Sequence, residues 1–269
     1  MSTIDRLAIG PHTPRRSAAT ADAVFVGRAV KRVFRRPDTV VSTVVFPAVL
    51  LLTLIAVFST AVEAFEGDDY AQRLVPGLIV SGLMFGSVGT AIGFWMDRES
   101  GFMDRIRSMP VPTSAPLVGT VIAETVRALL AVAVLVALGV AFGFRFSNGV
   151  VPGIWFVVVA GVAAMSLSFI GLSMATVAKS QESLGPPLGA LFLVLLFFSE
   201  GMIPLEGYPG WAQPVVRAAP ATAYVNLLDH LARGGQLVRP MLAAGAWSIA
   251  LVGVLGTFAV TRLRRVASG

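Results

Sequence analysis

Long apolar runs are the feature that most constrains what this chain can fold into. A transmembrane helix needs about 20 mostly apolar residues to cross roughly 30 Å of hydrocarbon. The stretches 40–62 and 74–96 each hold 23 residues without a charge. Four further apolar runs lie at 116–144, 153–178, 184–200 and 240–262. The runs are continuous rather than alternating, which argues against a transmembrane β-barrel. We therefore predict an all-α polytopic membrane protein with six transmembrane helices, the fifth being the shortest.

Composition supports a membrane protein and excludes several kinds of site. Hydrophobic residues make up 55% of the 269 residues and charged residues 13%, against about 25% charged in an ordinary soluble domain. The chain has no cysteine, which excludes disulfides, thiolate metal sites and cysteine nucleophiles. It also lacks a G-x-x-x-x-G-K-[ST] phosphate loop, so it does not hydrolyse ATP by that route. We predict no catalytic residue, metal or cofactor on this chain, and no nucleic-acid partner.

The distribution of basic residues predicts the orientation, because cytoplasmic loops carry an excess of Lys and Arg. With the N-terminus inside, the cytoplasmic segments hold 15 of the 21 basic residues and the external segments hold five. The remaining one, Arg127, lies near a span. Both termini are therefore expected in the cytoplasm, and the net charge of +6 is expected to face the inner membrane surface and its anionic lipids.

The N-terminal region divides into two parts ahead of a six-span domain at 38–266. Residues 1–20 contain two prolines and no apolar run, and we interpret them as a mobile cytoplasmic tail. Residues 21–37 place Val26, Ala29, Val30 and Val33 on one helical face, with basic residues mostly away from it, and end at Pro37. This pattern predicts an amphipathic helix in the inner interface; the alternative is a basic flank without a specific role.

The cytoplasmic segment 97–110 follows the second span. Phe102, Ile106 and Met109 fall on one face of a short helix, and Pro110 ends it. Charged residues occupy the rest of that helix. A rigid amphipathic segment tied to two spans can transmit force from a cytoplasmic partner, whereas the alternative interpretation is an ordinary charged loop.

The external segment 201–220 is rich in proline and too apolar for a free loop. Its prolines forbid one long helix, and its aromatic residues suit the membrane–water interface. We predict short re-entrant helices that form an external lid, with a loop resting on the headgroups as the alternative. The lid residues are Pro204, Tyr208, Pro209, Trp211 and Pro214.

Glu124 and Arg127 are the charged residues expected closest to the membrane interior. Their i, i+3 spacing lets them pair on one helix face. Counting about 20 residues back from Gly143, the outer end of the span, reaches Glu124. The count predicts a pair at the inner boundary, where Arg can snorkel. A structural pair is one interpretation, and a role in transport or coupling is the other.

The order of these features resembles the ABC-2 type permeases, the membrane subunits of ATP-driven exporters. In that family the segment after the second span looks like E-R-E-x-G-T-L-E-R-L-R-x-x-P and is the coupling helix that docks on the nucleotide-binding subunit. Here Asp97, Phe102 and Asp104 replace the first acid, the Thr and the second acid. The resemblance implies a coupling role for Asp97, Arg98, Glu99, Gly101, Phe102, Asp104, Arg105, Ile106, Arg107 and Met109.

A second motif, in the external segment, narrows the resemblance to one branch of this family. The run Gly201-Met-Ile-Pro-Leu-Glu-Gly-Tyr-Pro-Gly-Trp-Ala-Gln-Pro214, followed by Ala219-Pro220, is similar to the external segment of daunorubicin-resistance-type permeases. That branch includes exporters of drugs and of large cell-envelope lipids. The resemblance implies location in a bacterial cytoplasmic membrane and two copies of a separate ATPase subunit, which would hold ATP and Mg. It also implies a second permease, as a homodimer or a heterodimer.

By analogy with that family, the first, second and fifth spans line the path for a hydrophobic or amphiphilic substrate. The candidates for contacting the substrate are Phe46, Pro47, Phe85, Phe94, Phe192 and Phe197; packing in the core or against lipid is the alternative for each. The alternative functions are a secondary transporter or channel and a membrane-embedded lipid-modifying enzyme.

Overall fold

The computed structural model describes residues 45, 48–49, 51–53, 70–101, 115–147, 149–201 and 203–268. Within these residues the structure is helical and has no β-strand. The α-helices are α1 (Tyr70–Glu99), α2 (Ala115–Ala141), α3 (Val150–Ala175), α4 (Gly185–Phe197), α5 (Gln213–Ala218), α6 (Pro220–Arg233), α7 (Val238–Ala250) and α8 (Gly256–Ser268). A 3₁₀ turn covers Leu205–Gly207, and a π-helical segment, Leu251–Leu255, joins α7 to α8.

Four helices in the described part of the chain are long and apolar enough to cross a membrane. They span Leu74–Glu99, Pro116–Ala141, Val150–Ala175 and Val238–Leu263. Each coincides with a predicted span to within a few residues, which confirms an all-helical integral membrane protein. The predicted fifth span is α4, whose 13 residues extend about 20 Å.

Several predicted segments lie outside the described residues. They are the tail at 1–20, the amphipathic helix at 21–37 and the part of the coupling segment from 102 to 110. Most of the first predicted span lies outside them too, although residues 45, 48–49 and 51–53 are helical and Leu51 belongs to the buried core. Six spans, both ends inside the cell and re-entrant external helices therefore stay predictions.

Helices α1 and α3 lie at the centre of the helical packing. Helix α1 contacts α2, α3, α4 and α6, and α3 also contacts α2, α6, α7 and α8. Small residues allow close approach, as is usual where helices pack in a membrane. A Cβ on Gly171 of α3 would lie 2.9 Å from the Cβ of Ala91 in α1 and 3.0 Å from the carbonyl oxygen of Ser87. The two helices therefore touch almost backbone to backbone.

The helix termini lie at two opposite ends of the bundle, which we name the Arg98 end and the Tyr208 end. At the Arg98 end, defined by residues 95–101 and 175–185, Trp95 and Arg98 of α1 bond to the chain just beyond α3. The Tyr208 end is defined by 70–77, 139–156, 197–220 and 238–248. There Gln72 bonds to the backbone of Arg145, and the amide of Ser147 donates to Ala232. This up-and-down arrangement places the predicted cytoplasmic and external segments at different ends.

Candidate functional site

The predicted coupling segment begins at the C-terminal end of α1. Asp97 and Arg98 are half-buried there, and Glu99 is exposed. Gly101 follows with a φ of 71°, a left-handed conformation that favours glycine at the end of a helix. The glycine thereby ends α1 and redirects the chain towards 102–110. The other predicted coupling residues, Phe102, Asp104, Arg105, Ile106, Arg107 and Met109, lie outside the described part.

Arg98 is turned inward towards the end of α3. One guanidinium nitrogen, Nη1, donates to the carbonyl oxygens of Ala175 at 3.0 Å and Thr176 at 2.7 Å. The other, Nη2, donates to that of Ala178 at 2.6 Å. The last carbonyls of a helix lack partners within it and carry partial negative charge, so a cation here is favourable. Trp95 Nε1 donates to the same Ala178 oxygen at 3.3 Å.

The loop between α3 and α4 forms an ordered turn beside this contact. The amide of Ser180 donates to Ser183 Oγ at 3.1 Å, and the amide of Ser183 donates to Ser180 Oγ at 3.2 Å. Hydrogen bonds from its own backbone amide and from Ser180 lower the pKa of the exposed Glu182 carboxyl. Lys179 and Gln181 are also exposed, so this turn presents polar groups next to the start of the coupling segment.

A second polar cluster lies inside the bundle, between α1 and α2. Glu124 and Arg127 are 4% and 8% exposed and form an ion pair. Arg127 Nη2 also donates to the carbonyl oxygen of Gly86 at 2.6 Å and to Thr90 Oγ1 at 3.0 Å, while Thr90 donates to the Glu124 carboxylate. Arg127 Nε has no hydrogen-bond partner within the described part of the chain.

The pair lies in the first half of α2, and its predicted location at the inner boundary of the membrane stays a prediction. Helix α2 begins at Ala115, nine residues before Glu124, which corresponds to about 14 Å along the axis. Beside Glu124, a cavity of about 10 Å³ between α1 and α2 is lined mainly by small and aliphatic side chains. This volume is close to the minimum for one water molecule.

The candidates for contacting the substrate are not brought together as one open surface. Phe94 and Phe192 are 2% and 0% exposed in the helical core, Phe85 is half-buried, and Phe197 is 56% exposed. Phe46 and Pro47 lie outside the described residues. A path through these side chains would need the core contacts of α1 and α4 to open.

The predicted lid is folded against the C-terminal end of α4. Tyr208 is half-buried, and its hydroxyl is 2.7 Å from the carbonyl oxygen of Phe197 and 2.9 Å from that of Ser199. Gln213 Nε2 donates to the carbonyl oxygen of Tyr208 at 3.1 Å. Tyr208 thus joins the 3₁₀ turn to the end of α4 through its hydroxyl, and to Gln213 at the start of α5 through its backbone carbonyl.

The remaining lid residues lie nearer the surface. Trp211 is 72% exposed and contacts the ring of Phe198. Pro209 and Pro214 are exposed, and Pro204 is half-buried ahead of the 3₁₀ turn.

Sequence reasoning missed helix α6, which holds the lid end together. Residues along most of its length are buried, including Tyr224, Leu228 and Ala232. The Tyr224 hydroxyl is 2.9 Å from Ser248 Oγ in α7. Its sequence signal was an apolar stripe that includes Tyr224, Val225 and Leu228, opposite the polar residues Asp229 and His230, with Pro220 at the start of the helix. The run is too short and polar to register as a span.

Comparison with known proteins gives the family. A family model described as "ABC-2 type transporter" matches residues 23–231. The chain is 27% identical over 263 residues to the "Daunorubicin resistance ABC transporter permease protein DrrB1" of Streptomyces coeruleorubidus, covering 96% of this chain and 90% of that protein. It is 26% identical over 221 residues to the "Probable doxorubicin resistance ABC transporter permease protein DrrC" of Mycobacterium tuberculosis, covering 82% and 80%.

Proposed function

The chain belongs to the ABC-2 type transporter family, and on that basis we propose that it is the membrane-spanning permease subunit of an ATP-driven exporter. The observation that carries the proposal is the family match over 23–231, which includes the whole coupling segment. A separate nucleotide-binding subunit, in two copies, would supply ATP hydrolysis. Two permeases, identical or related, would enclose the path.

The Arg98 end supports docking of that subunit. Helix α1 ends at Glu99 and is followed by Gly101 in a left-handed conformation, so the predicted coupling segment begins at the same end of the bundle as the polar turn 179–183. In the proposed orientation this end faces the cytoplasm and both termini lie there, in a bacterial cytoplasmic membrane. The Tyr208 end then faces outward, where cargo leaves.

The proposed cargo is a hydrophobic or amphiphilic molecule, either a drug or a lipid. The names of the two relatives refer to daunorubicin and doxorubicin resistance, which makes an amphiphilic aromatic drug the first compound to test. Four of the substrate-path candidates, Phe85, Phe94, Phe192 and Phe197, lie on α1 and α4 and would offer apolar, aromatic contacts.

A secondary transporter is the second candidate, because Glu124 and Arg127 are buried within a span and intramembrane charges often mark ion pathways. The two charges, however, bind each other, Thr90 and Gly86, which is an arrangement expected of a structural pair. ATP coupling is therefore favoured.

Copurification of the ATPase subunit tests the proposal. An affinity-tagged parent chain should retain this subunit in mild detergent. Replacing Phe102 or Ile106 with Glu should remove an apolar docking contact and lower the retained ATPase at least about tenfold, with normal membrane insertion.

The matched control is Trp211→Glu, a charged substitution at an exposed residue of the opposite end, which should retain the subunit. Normal ATPase binding and normal export by both coupling-segment variants would refute the assigned docking site.

A further inference from the structure

Resting on the proposed function, we propose that Arg98 is a positioning residue that locks the start of the coupling segment to the end of α3, rather than a residue that contacts the ATPase. Arg98 is the second-last residue of α1, three positions before Gly101. Its side chain donates hydrogen bonds to the backbone at and just beyond the end of α3. Movement of the coupling segment would therefore be passed to α3 and to the turn before α4.

The geometry favours a rigid connection. Arg98 makes three charged hydrogen bonds of 2.6–3.0 Å to Ala175, Thr176 and Ala178. Charged hydrogen bonds are stronger than neutral ones, and the planar guanidinium fixes direction as well as distance. All three acceptors are backbone carbonyls, so the contact holds the path of the chain rather than one mobile side chain.

Trp95 adds a second point of attachment on the same face of α1. It lies three residues before Arg98, so both side chains point the same way. Its Nε1 donates to Ala178, which also receives a bond from Arg98. Two rigid side chains of α1 thus hold one carbonyl beyond the end of α3, which limits sliding between the two helices.

The contact at Arg98 has a consequence for α4, an apolar helix of 13 residues. The chain from Ala178 reaches α4 through the turn at Ser180 and Ser183 and the backbone bond from Gly185 to Gln181. Leu184 and Leu188 are then fully buried in the core. A displacement of the coupling segment would reach the start of α4 through Arg98 and this ordered turn.

Spin-label distances test the connection in the complex of the full chain with its copurified ATPase. The chain has no native cysteine, so Ser100→Cys and Val177→Cys, both at exposed positions, give one nitroxide pair within each copy of the chain, and the distance followed is the one within a copy. In the parent we expect one narrow EPR distance distribution that is unchanged between the nucleotide-free and vanadate-trapped states. Arg98→Ala should broaden and shift it.

The second measurement is export per ATP hydrolysed. Arg98→Ala should retain the ATPase subunit on the resin, because Arg98 is not a docking contact, while doxorubicin export per ATP hydrolysed falls about tenfold or more, as expected on losing a charged hydrogen bond. Arg98→Lys should be intermediate, since a single ammonium replaces two guanidinium nitrogens. The control, Arg239→Ala, alters an exposed arginine at the opposite end and should behave like the parent.

Three outcomes would overturn the inference: a parent distance that changes on trapping, an Arg98→Ala distribution identical to that of the parent, or loss of the ATPase subunit in Arg98→Ala. If Arg98→Ala is not recovered from membranes, Arg98→Lys and Trp95→Phe take its place in the distance measurement. A parent chain that binds no ATPase would instead contradict the proposed function. The distance between the labels in the chain alone would still report whether Arg98 holds the two segments together.

Discussion

At the scale of single residues, substitutions in the Glu124–Arg127 network give the strongest test of the packing between α1 and α2. Removing one partner of a buried ion pair leaves an uncompensated charge and costs about 3–5 kcal/mol. We expect Arg127→Met to lower the thermal unfolding midpoint of the purified chain in detergent. The double variant Glu124→Gln/Arg127→Met should recover part of that loss, because it leaves no lone charge.

Arg145→Met is the control for this comparison, because Arg145 is exposed at the Tyr208 end and its side chain should contribute little to stability. If Arg127→Met and the double variant both unfold at the parent temperature, the buried network does not stabilise the bundle.

Sequence reasoning reached this network only in part. The i, i+3 spacing of Glu124 and Arg127 predicts their pairing, because both lie on one helix. Their bonds to Thr90 and Gly86 depend on how α1 and α2 are aligned, and no local pattern encodes that alignment. The same limit applies to Arg98, which the sequence marks as charged and cytoplasmic but which bonds to a chain segment 77 to 80 positions away.

At the scale of elements, the predicted ends of four spans differ from the observed helices by only a few residues, because an uninterrupted apolar run is itself the signal. Helix α6 was missed for the opposite reason. It is buried through contacts with α1, α3 and α7, although its own sequence contains Asn226, Asp229 and His230. Burial of such a helix is decided by its neighbours.

The close contact between α1 and the chain that follows α4 predicts how a substitution at Gly77 changes stability. A Cβ on Gly77 would overlap the carbonyl group of Gly201, so backbone would have to move. We expect Gly77→Ala to lower the thermal unfolding midpoint clearly, with a loss of about 1–3 kcal/mol, typical of overpacking.

Gly93→Ala is the matched control in the same helix, since a Cβ there meets nothing within 4 Å. It should leave stability unchanged or raise it by up to about 1 kcal/mol, because Ala favours a helix over Gly. Equal midpoints for the Gly77 and Gly93 variants would mean that the close approach at Gly201 is absent.

At the scale of the whole molecule, the two ends of the bundle should lie on opposite sides of the membrane. Single cysteines can be introduced at Gln181 and Gly210, which are exposed at the Arg98 end and in the lid. A membrane-impermeant maleimide should label Gly210→Cys in intact cells and Gln181→Cys only after permeabilisation. The reverse pattern would invert the proposed orientation, and labelling of both in intact cells would contradict an up-and-down bundle.

The central claim is that ATP hydrolysis by a partner subunit drives export through this chain. The most direct measurement is doxorubicin efflux from cells that carry the parent chain with either an active partner ATPase or one whose phosphate-binding lysine is replaced. We predict that efflux stops with the inactive ATPase and persists when a protonophore collapses the proton gradient while ATP is maintained. Efflux that continues with the inactive ATPase and stops with the protonophore would contradict the claim and identify a secondary transporter.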